Sequence, residues 1–240
     1  MIQNICFFLK NPNLLSLENT NDSIYSKIKT LFKIYLLCMG LLVLSGIFIL
    51  ITDWIVNSLI DFSIRESLRL NQLDFHNYWK QSAWILTVIL GPISEEIVFR
   101  LPLSNDRRLF ALSTGFATFY FTGETDILNI ASIPPSRMIL SILVVLSCYF
   151  LLNDKVFLIF RSRFFNCVCW GLIIAFSWIH IGNFKPINWD IIYLYPIYVL
   201  PQLFYGIGAS FLMVKYKNLL WPLMLHILIN GVPALLRSIH

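Results

Sequence analysis

Two adjacent glutamates, Glu95 and Glu96, stand inside an apolar stretch and are followed by an arginine, in the run Gly91-Pro92-Ile93-Ser94-Glu95-Glu96-Ile97-Val98-Phe99-Arg100. An ionisable side chain at the centre of a membrane-spanning helix costs roughly 3 kcal/mol on insertion scales, so such a cluster points to chemistry. Residues four apart share a helix face. Glu96 and Arg100 are therefore natural partners whose charges compensate in a low dielectric. Glu95 lies about 100° round the helix, and the sequence offers it no partner at i+4. A carboxylate left unpaired in apolar surroundings is suited to act as a general base. The expected division of labour is that Glu95 carries the proton chemistry while Glu96 and Arg100 hold the helix and its field. The competing reading is an ion-pair network between helices. Gly91-Pro92 just upstream removes a backbone donor and is expected to kink the helix and open a cavity that water can enter.

Two further polar groups interrupt apolar runs. His180 closes the run that ends Phe176-Ser177-Trp178-Ile179-His180; by itself it reads as a structural or interfacial histidine. His226 and Asn230 are four apart in an apolar run near the C-terminus, so both face one way and need partners inside a bundle. An acid pair, a histidine and a histidine–asparagine pair on three helices supply what amide hydrolysis needs: a base to activate water and donors for an oxyanion.

The elements that must position these groups are membrane helices. The chain has 240 residues, 58% hydrophobic and 13% charged, against about 25% charged in a soluble domain. The expected fold is an all-α, polytopic bundle. Seven apolar runs stand out, roughly 34–55, 81–103, 109–122, 138–152, 164–181, 191–214 and 219–236, the third and fourth being short. A cytoplasmic N-terminus places eleven lysines and arginines on the inner side and six on the outer, with Arg100 set aside, and the positive-inside bias favours that orientation. The net charge of +5 thus reflects membrane flanks rather than nucleic-acid binding. Residues 53–80 read either as an amphipathic surface helix, with Ile60, Ile64 and Leu68 on one face, or as an extension of the first span. Residues 1–30 read as a weakly structured cytoplasmic polar tail, leaving 31–240 as one transmembrane domain with a core at about 81–236. No cleavable signal peptide is evident. The five cysteines (Cys6, Cys38, Cys148, Cys167 and Cys169) lack paired spacing and read as inert thiols.

The three motifs resemble those of the CPBP family of intramembrane proteases, also called the CAAX protease and bacteriocin-processing or Abi family. That family is defined by EExxxR, FxxxH and HxxxN, and the chain carries them in order at Glu95-Glu96…Arg100, Phe176…His180 and His226…Asn230. The resemblance covers roughly residues 81–236. It implies a helical-bundle endopeptidase without a cofactor, in which Glu95 and His180 activate water, His226 and Asn230 form the oxyanion site, and Arg100 pairs with Glu96. The implied partners are the lipid bilayer and a membrane-associated peptide or protein. The abundance of Ile, Asn, Lys and Phe points to an AT-rich bacterial genome and so to a bacterial plasma membrane. Three alternatives stand beside this. One is a zinc-dependent protease using Glu95, His180 and His226, whose donor types suit Zn²⁺. Another is a non-catalytic immunity or scaffold protein of the same fold. The last is a proton-coupled transporter, which the single cluster of intramembrane acids and the absence of a repeat disfavour.

Overall fold

The computed structural model describes residues 2–17, 22–80, 82–123 and 133–238. Gln81, expected to open the second run, and residues 18–21 of the polar N-terminal stretch lie outside the described residues. Within them the regular structure is helical throughout.

Helix α3 (Ile24–Ile60) is the longest element. Ser23 caps its start by accepting from the Ser26 N–H, and its sequence is apolar on every side. Val43, Leu44, Ile47, Phe48 and Ile51 are exposed, a surface that lipid rather than water accommodates. The chain reverses at Asp61, which adopts a left-handed conformation (φ 51°), and Ser63 caps a new helix, α4 (Ile64–Trp79). Both readings of residues 53–80 are therefore partly met, because the first helix does run on, to Ile60, and a separate helix follows. The expected face of Ile60, Ile64 and Leu68 is split by the turn, and only Ile64 is fully buried. Asp53 ties the corner together, accepting from Ser63 Oγ at 2.7 Å and from the Tyr198 hydroxyl at 3.2 Å. On the exposed side of α4, the Arg69 guanidinium holds the Glu66 carboxyl below the usual carboxylate range through a direct hydrogen bond.

Helix α5 (Ser82–Phe99) carries the acidic motif. It leads through a 3₁₀ turn (Leu101–Leu103) to α6 (Arg107–Phe121), and α7 (Pro135–Leu151) packs back on α6. Arg137 is buried; its guanidinium bonds to the Phe119 carbonyl and lies over the Phe119 ring. Helix α8 (Asp154–Ile179) ends in a 3₁₀ turn (His180–Asn183). A further 3₁₀ turn (Trp189–Leu194) and α9 (Tyr195–Tyr198) precede α10 (Leu200–Tyr216), bent by 44° at Val199. Helix α11 (Leu220–Ser238) closes the bundle. Helix α10 is the axis of the fold, buried almost continuously from Tyr205 to Val214 and packed on α3, α8 and α11.

Among the described residues helices thus fill all seven apolar runs, the sixth by the two helices α9 and α10, but the lengths differ from expectation. Among the described residues three helices are long and apolar enough to cross a membrane, or four if the bent pair of Trp189–Tyr198 and α10 is one span. Helices α6 and α7 have 15 and 17 residues, about 22 and 25 Å at 1.5 Å per residue, short of a hydrocarbon core of about 30 Å.

Residues 2–17 differ more sharply from the weakly structured tail. Ile2–Lys10 form α1 and Pro12–Leu17 form α2. Ile5, Phe8 and Leu15 enter the main core, where Phe8 meets Phe211 edge to face. Arg161 donates to Ser16 Oγ and Asn105 to the Ser16 carbonyl. Ile5 and Phe8 are three apart on one helical face, a stripe too short for its periodicity to stand out in the sequence.

Candidate active site

The site is assembled from α5, α8, α10 and α11. In α5 the turn Leu86–Leu90 is a π-helix, and the Gly91 N–H reaches back five residues to the Leu86 carbonyl. A Cβ on Gly91 would lie 2.8 Å from that carbonyl oxygen, so the wide turn needs glycine there. The expected kink at Gly91-Pro92 is realised as this π turn. One extra residue in the turn rotates everything after it by about 100° relative to an unbroken α-helix, and the motif that follows is aimed accordingly.

Glu96 is fully buried. Its Oε1 accepts from the Tyr205 hydroxyl of α10 at 2.6 Å and lies 3.0 Å from His226 Nδ1 of α11. Its Oε2 stands 3.7 Å from Arg100 Nε, an ion pair too long for a hydrogen bond. Arg100 is as deeply buried, and none of its three guanidinium nitrogens has a hydrogen-bond partner among the described residues. Its cation is met instead by the Glu96 charge and by the Phe176 ring, whose centroid is 4.4 Å from Cζ. Phe176 is the hub of the packing, touching the rings of Phe99, His180, Tyr205 and His226.

Glu95 points into a different space. Its Oε2 is 3.8 Å from His180 Nε2 and 3.7 Å from His226 Nε2, and that oxygen has no hydrogen-bond partner among the described residues. In the neutral form of each imidazole, the hydrogen bond at the far side of the ring sets the tautomer. His180 Nδ1 lies 2.7 Å from the Phe176 carbonyl, which can only accept, so Nδ1 carries the proton. His226 Nδ1 faces a Glu96 carboxylate paired with Arg100, again an acceptor. In that form both Nε2 atoms present lone pairs toward the space beside Glu95 Oε2.

Asn230 sits one turn beyond His226 in α11. Its Nδ2 donates to the Thr87 carbonyl of α5 at 3.0 Å. The two contacts, 226 with 96 and 230 with 87, set α11 antiparallel to α5. The structure thus brings Glu95, Glu96, Arg100, His180 and His226 into one cluster and holds Asn230 beside it at the π turn. Among the described residues, no group of three or more His, Cys, Asp or Glu side chains is arranged to hold a metal ion. The donor types at Glu95, His180 and His226 suit zinc.

The family profile described as Type II CAAX prenyl endopeptidase Rce1-like matches residues 77–232. The chain belongs to this family. It is therefore a member of a family of endopeptidases, which are hydrolases, and the cluster of buried Glu96 and His226 with partly buried Glu95 is consistent with a catalytic site. Searches of curated proteins and of solved structures each found no match.

Two contributors escape the motif reading. Tyr205 lies in an apolar run with no spacing signal; the nearest hint is a hydroxyl next to Gly206, where helices approach closely. Thr87 contributes only its backbone carbonyl, which no side-chain pattern reveals.

Proposed function

We propose that this protein is an intramembrane endopeptidase that hydrolyses a peptide bond of a membrane-associated protein or peptide with a water held between Glu95, His180 and His226. The observation that carries this reading is the convergence of Glu95 Oε2 with two Nε2 lone pairs at 3.7–3.8 Å. A water there donates one hydrogen to Glu95 and the other to an imidazole, leaving its oxygen lone pair free to attack a carbonyl carbon. Glu95 takes the proton as the C–O bond forms. It returns the proton to the amide nitrogen as the C–N bond breaks. Positioned proton transfer of this kind contributes typically about 10²–10⁴-fold.

The developing oxyanion needs donors. Asn230 Nδ2 has two hydrogens, and only one is used at Thr87. The second is the oxyanion donor. His226 joins it only when Nε2 gains a proton, because its resting tautomer leaves that nitrogen an acceptor. Glu96, Arg100 and Tyr205 fix that tautomer. In the membrane, the helices filling the seven apolar runs cross as seven spans, α9 and α10 together making one, with the N-terminus on the cytoplasmic side, and the short pair α6–α7 is shielded by its own tight packing.

The test is cleavage of a fluorogenic peptide library by purified protein in detergent. The wild type is expected to cut. Glu95→Gln keeps the shape, removes the base and should lose about 10²–10⁴-fold in kcat at an unchanged unfolding midpoint. Retention of most of the turnover would sink the assignment of Glu95. A chelator should leave the wild-type rate unaltered; loss of activity restored by Zn²⁺ would favour the metal-dependent version. A Glu95→Gln strain with the wild-type cellular phenotype would favour a scaffold role.

A further inference from the structure

The π turn in α5 poses an accounting problem at one carbonyl. In an α-helix the Thr87 carbonyl would accept from the N–H of residue 91; in a π-helix it would accept from residue 92. The Gly91 N–H is committed to Leu86, and Pro92 has no N–H. Neither helical register can satisfy Thr87, and a helix in lipid has no water to spare for an unmet carbonyl. The donor comes from another helix: Asn230 Nδ2, at 3.0 Å. The Thr87 hydroxyl is itself occupied, donating to the Ala83 carbonyl at 2.8 Å.

We propose that Pro92 acts as a positioning residue for catalysis, by leaving the Thr87 carbonyl open as the docking point that orients the Asn230 amide. One amide hydrogen is fixed on Thr87, so the plane of the carboxamide is fixed, and the second hydrogen is held in one direction toward the oxyanion. The same bond ties the π turn of α5 to α11 one helical turn from His226, setting the register in which Glu95 and Glu96 face the imidazole. This role of Pro92 rests on the oxyanion assignment of Asn230 proposed above.

A double-variant cycle tests it. Pro92→Ala restores an N–H that can bond the Thr87 carbonyl and so releases Asn230. Pro92→Ser does the same should the alanine variant fold poorly. Asn230→Ala alone should lower kcat by about 10²–10³-fold. Pro92→Ala alone should lower kcat by about ten- to a hundred-fold with KM unchanged, the scale of a misaimed catalytic group. In the Pro92→Ala background, Asn230→Ala should cost at least ten-fold less than in the wild type. Full kcat in Pro92→Ala, or effects that simply multiply, would overturn the docking. An Asn230→Ala protein with wild-type kcat would instead defeat the oxyanion assignment. The docking bond is then read by unfolding: Asn230→Ala should lower the denaturant midpoint with Pro92 present and leave it unmoved in the Pro92→Ala background, and equal shifts would overturn it.

Discussion

Replacing Arg100 by methionine removes a buried cation while keeping much of its length against Phe176. The structure sets the size of the loss. Arg100 Nε and Glu96 Oε2 are 3.7 Å apart and both side chains are fully buried. At an effective dielectric of about 20, opposite charges at that distance attract by about 4.5 kcal/mol. Glu96 keeps its bonds to Tyr205 and His226, which continue to hold part of its charge. The expected destabilisation is therefore at the lower end of the range for breaking a buried pair, about 3 kcal/mol. The loss comes mostly from leaving the buried Glu96 charge without its cation, not from the attraction itself. Neutralising both partners should then recover most of it, since a buried ion pair replaced by uncharged groups of similar volume is often neutral or better. The assay is denaturant unfolding of the purified protein in mixed micelles, followed by tryptophan fluorescence, for wild type, Arg100→Met, Glu96→Gln and the double variant. Arg100→Met within about 1 kcal/mol of wild type, or a double variant no more stable than the single, would refute the claim that Glu96 leans on Arg100.

Tyr205→Phe removes one hydrogen bond to a buried carboxylate, worth about 1.5–3 kcal/mol for a charged acceptor, yet leaves the ring 4.5 Å from His226. A protein that still folds with kcat down about ten-fold and KM unchanged is expected from steady-state kinetics, as the Glu96–His226 contact loosens; unchanged kcat would show that Tyr205 does not support the site. Gly115→Ala drives a Cβ into Val145 Cγ2 and to 2.8 Å from the Ser141 carbonyl, forcing α6 and α7 apart at a cost of about 1–3 kcal/mol in unfolding free energy. Gly171→Ala in α8 meets nothing within 4 Å and is the control, expected to hold or gain about 0.5–1 kcal/mol in the same measurement.

What the sequence made legible was local. The Glu96–Arg100 contact and the shared face of His226 and Asn230 follow from a spacing of four on a helix, and the seven helical segments from unbroken apolar length. The contacts that turn these pieces into a site are not local. His226 Nδ1 meets Glu96 across 130 residues, and Tyr205 reaches the same oxygen across 109. No periodicity within one helix encodes which faces of two helices meet. The pattern also concealed that Glu96 meets His226 at Nδ1, which leaves Nε2 as the nitrogen beside Glu95. The N-terminal helices were hidden for a different reason, since Ile5, Phe8 and Leu15 bury themselves in grooves supplied by α8 and α10 rather than in a stripe of their own.

Pro92 is the residue at which local and distant information meet. Its effect on its own helix, a missing donor, is predictable from the side chain alone, and so the sequence suggests a kink. The consequence depends on a carbonyl five residues upstream and an amide 138 residues downstream, joined by the bond from Asn230 to Thr87. A proline in that position is tolerable only because another helix supplies the donor, and the donor is one of the motif residues. The spacing between Asn230 and His226 is then set twice over: by the helix they share, and by the distance along α5 from the open carbonyl of Thr87 to the carboxylate of Glu96. Shifting either helix by one residue would break both contacts at once, which is why the antiparallel pairing of α5 with α11, more than any single motif, determines whether the acidic cluster faces its histidines.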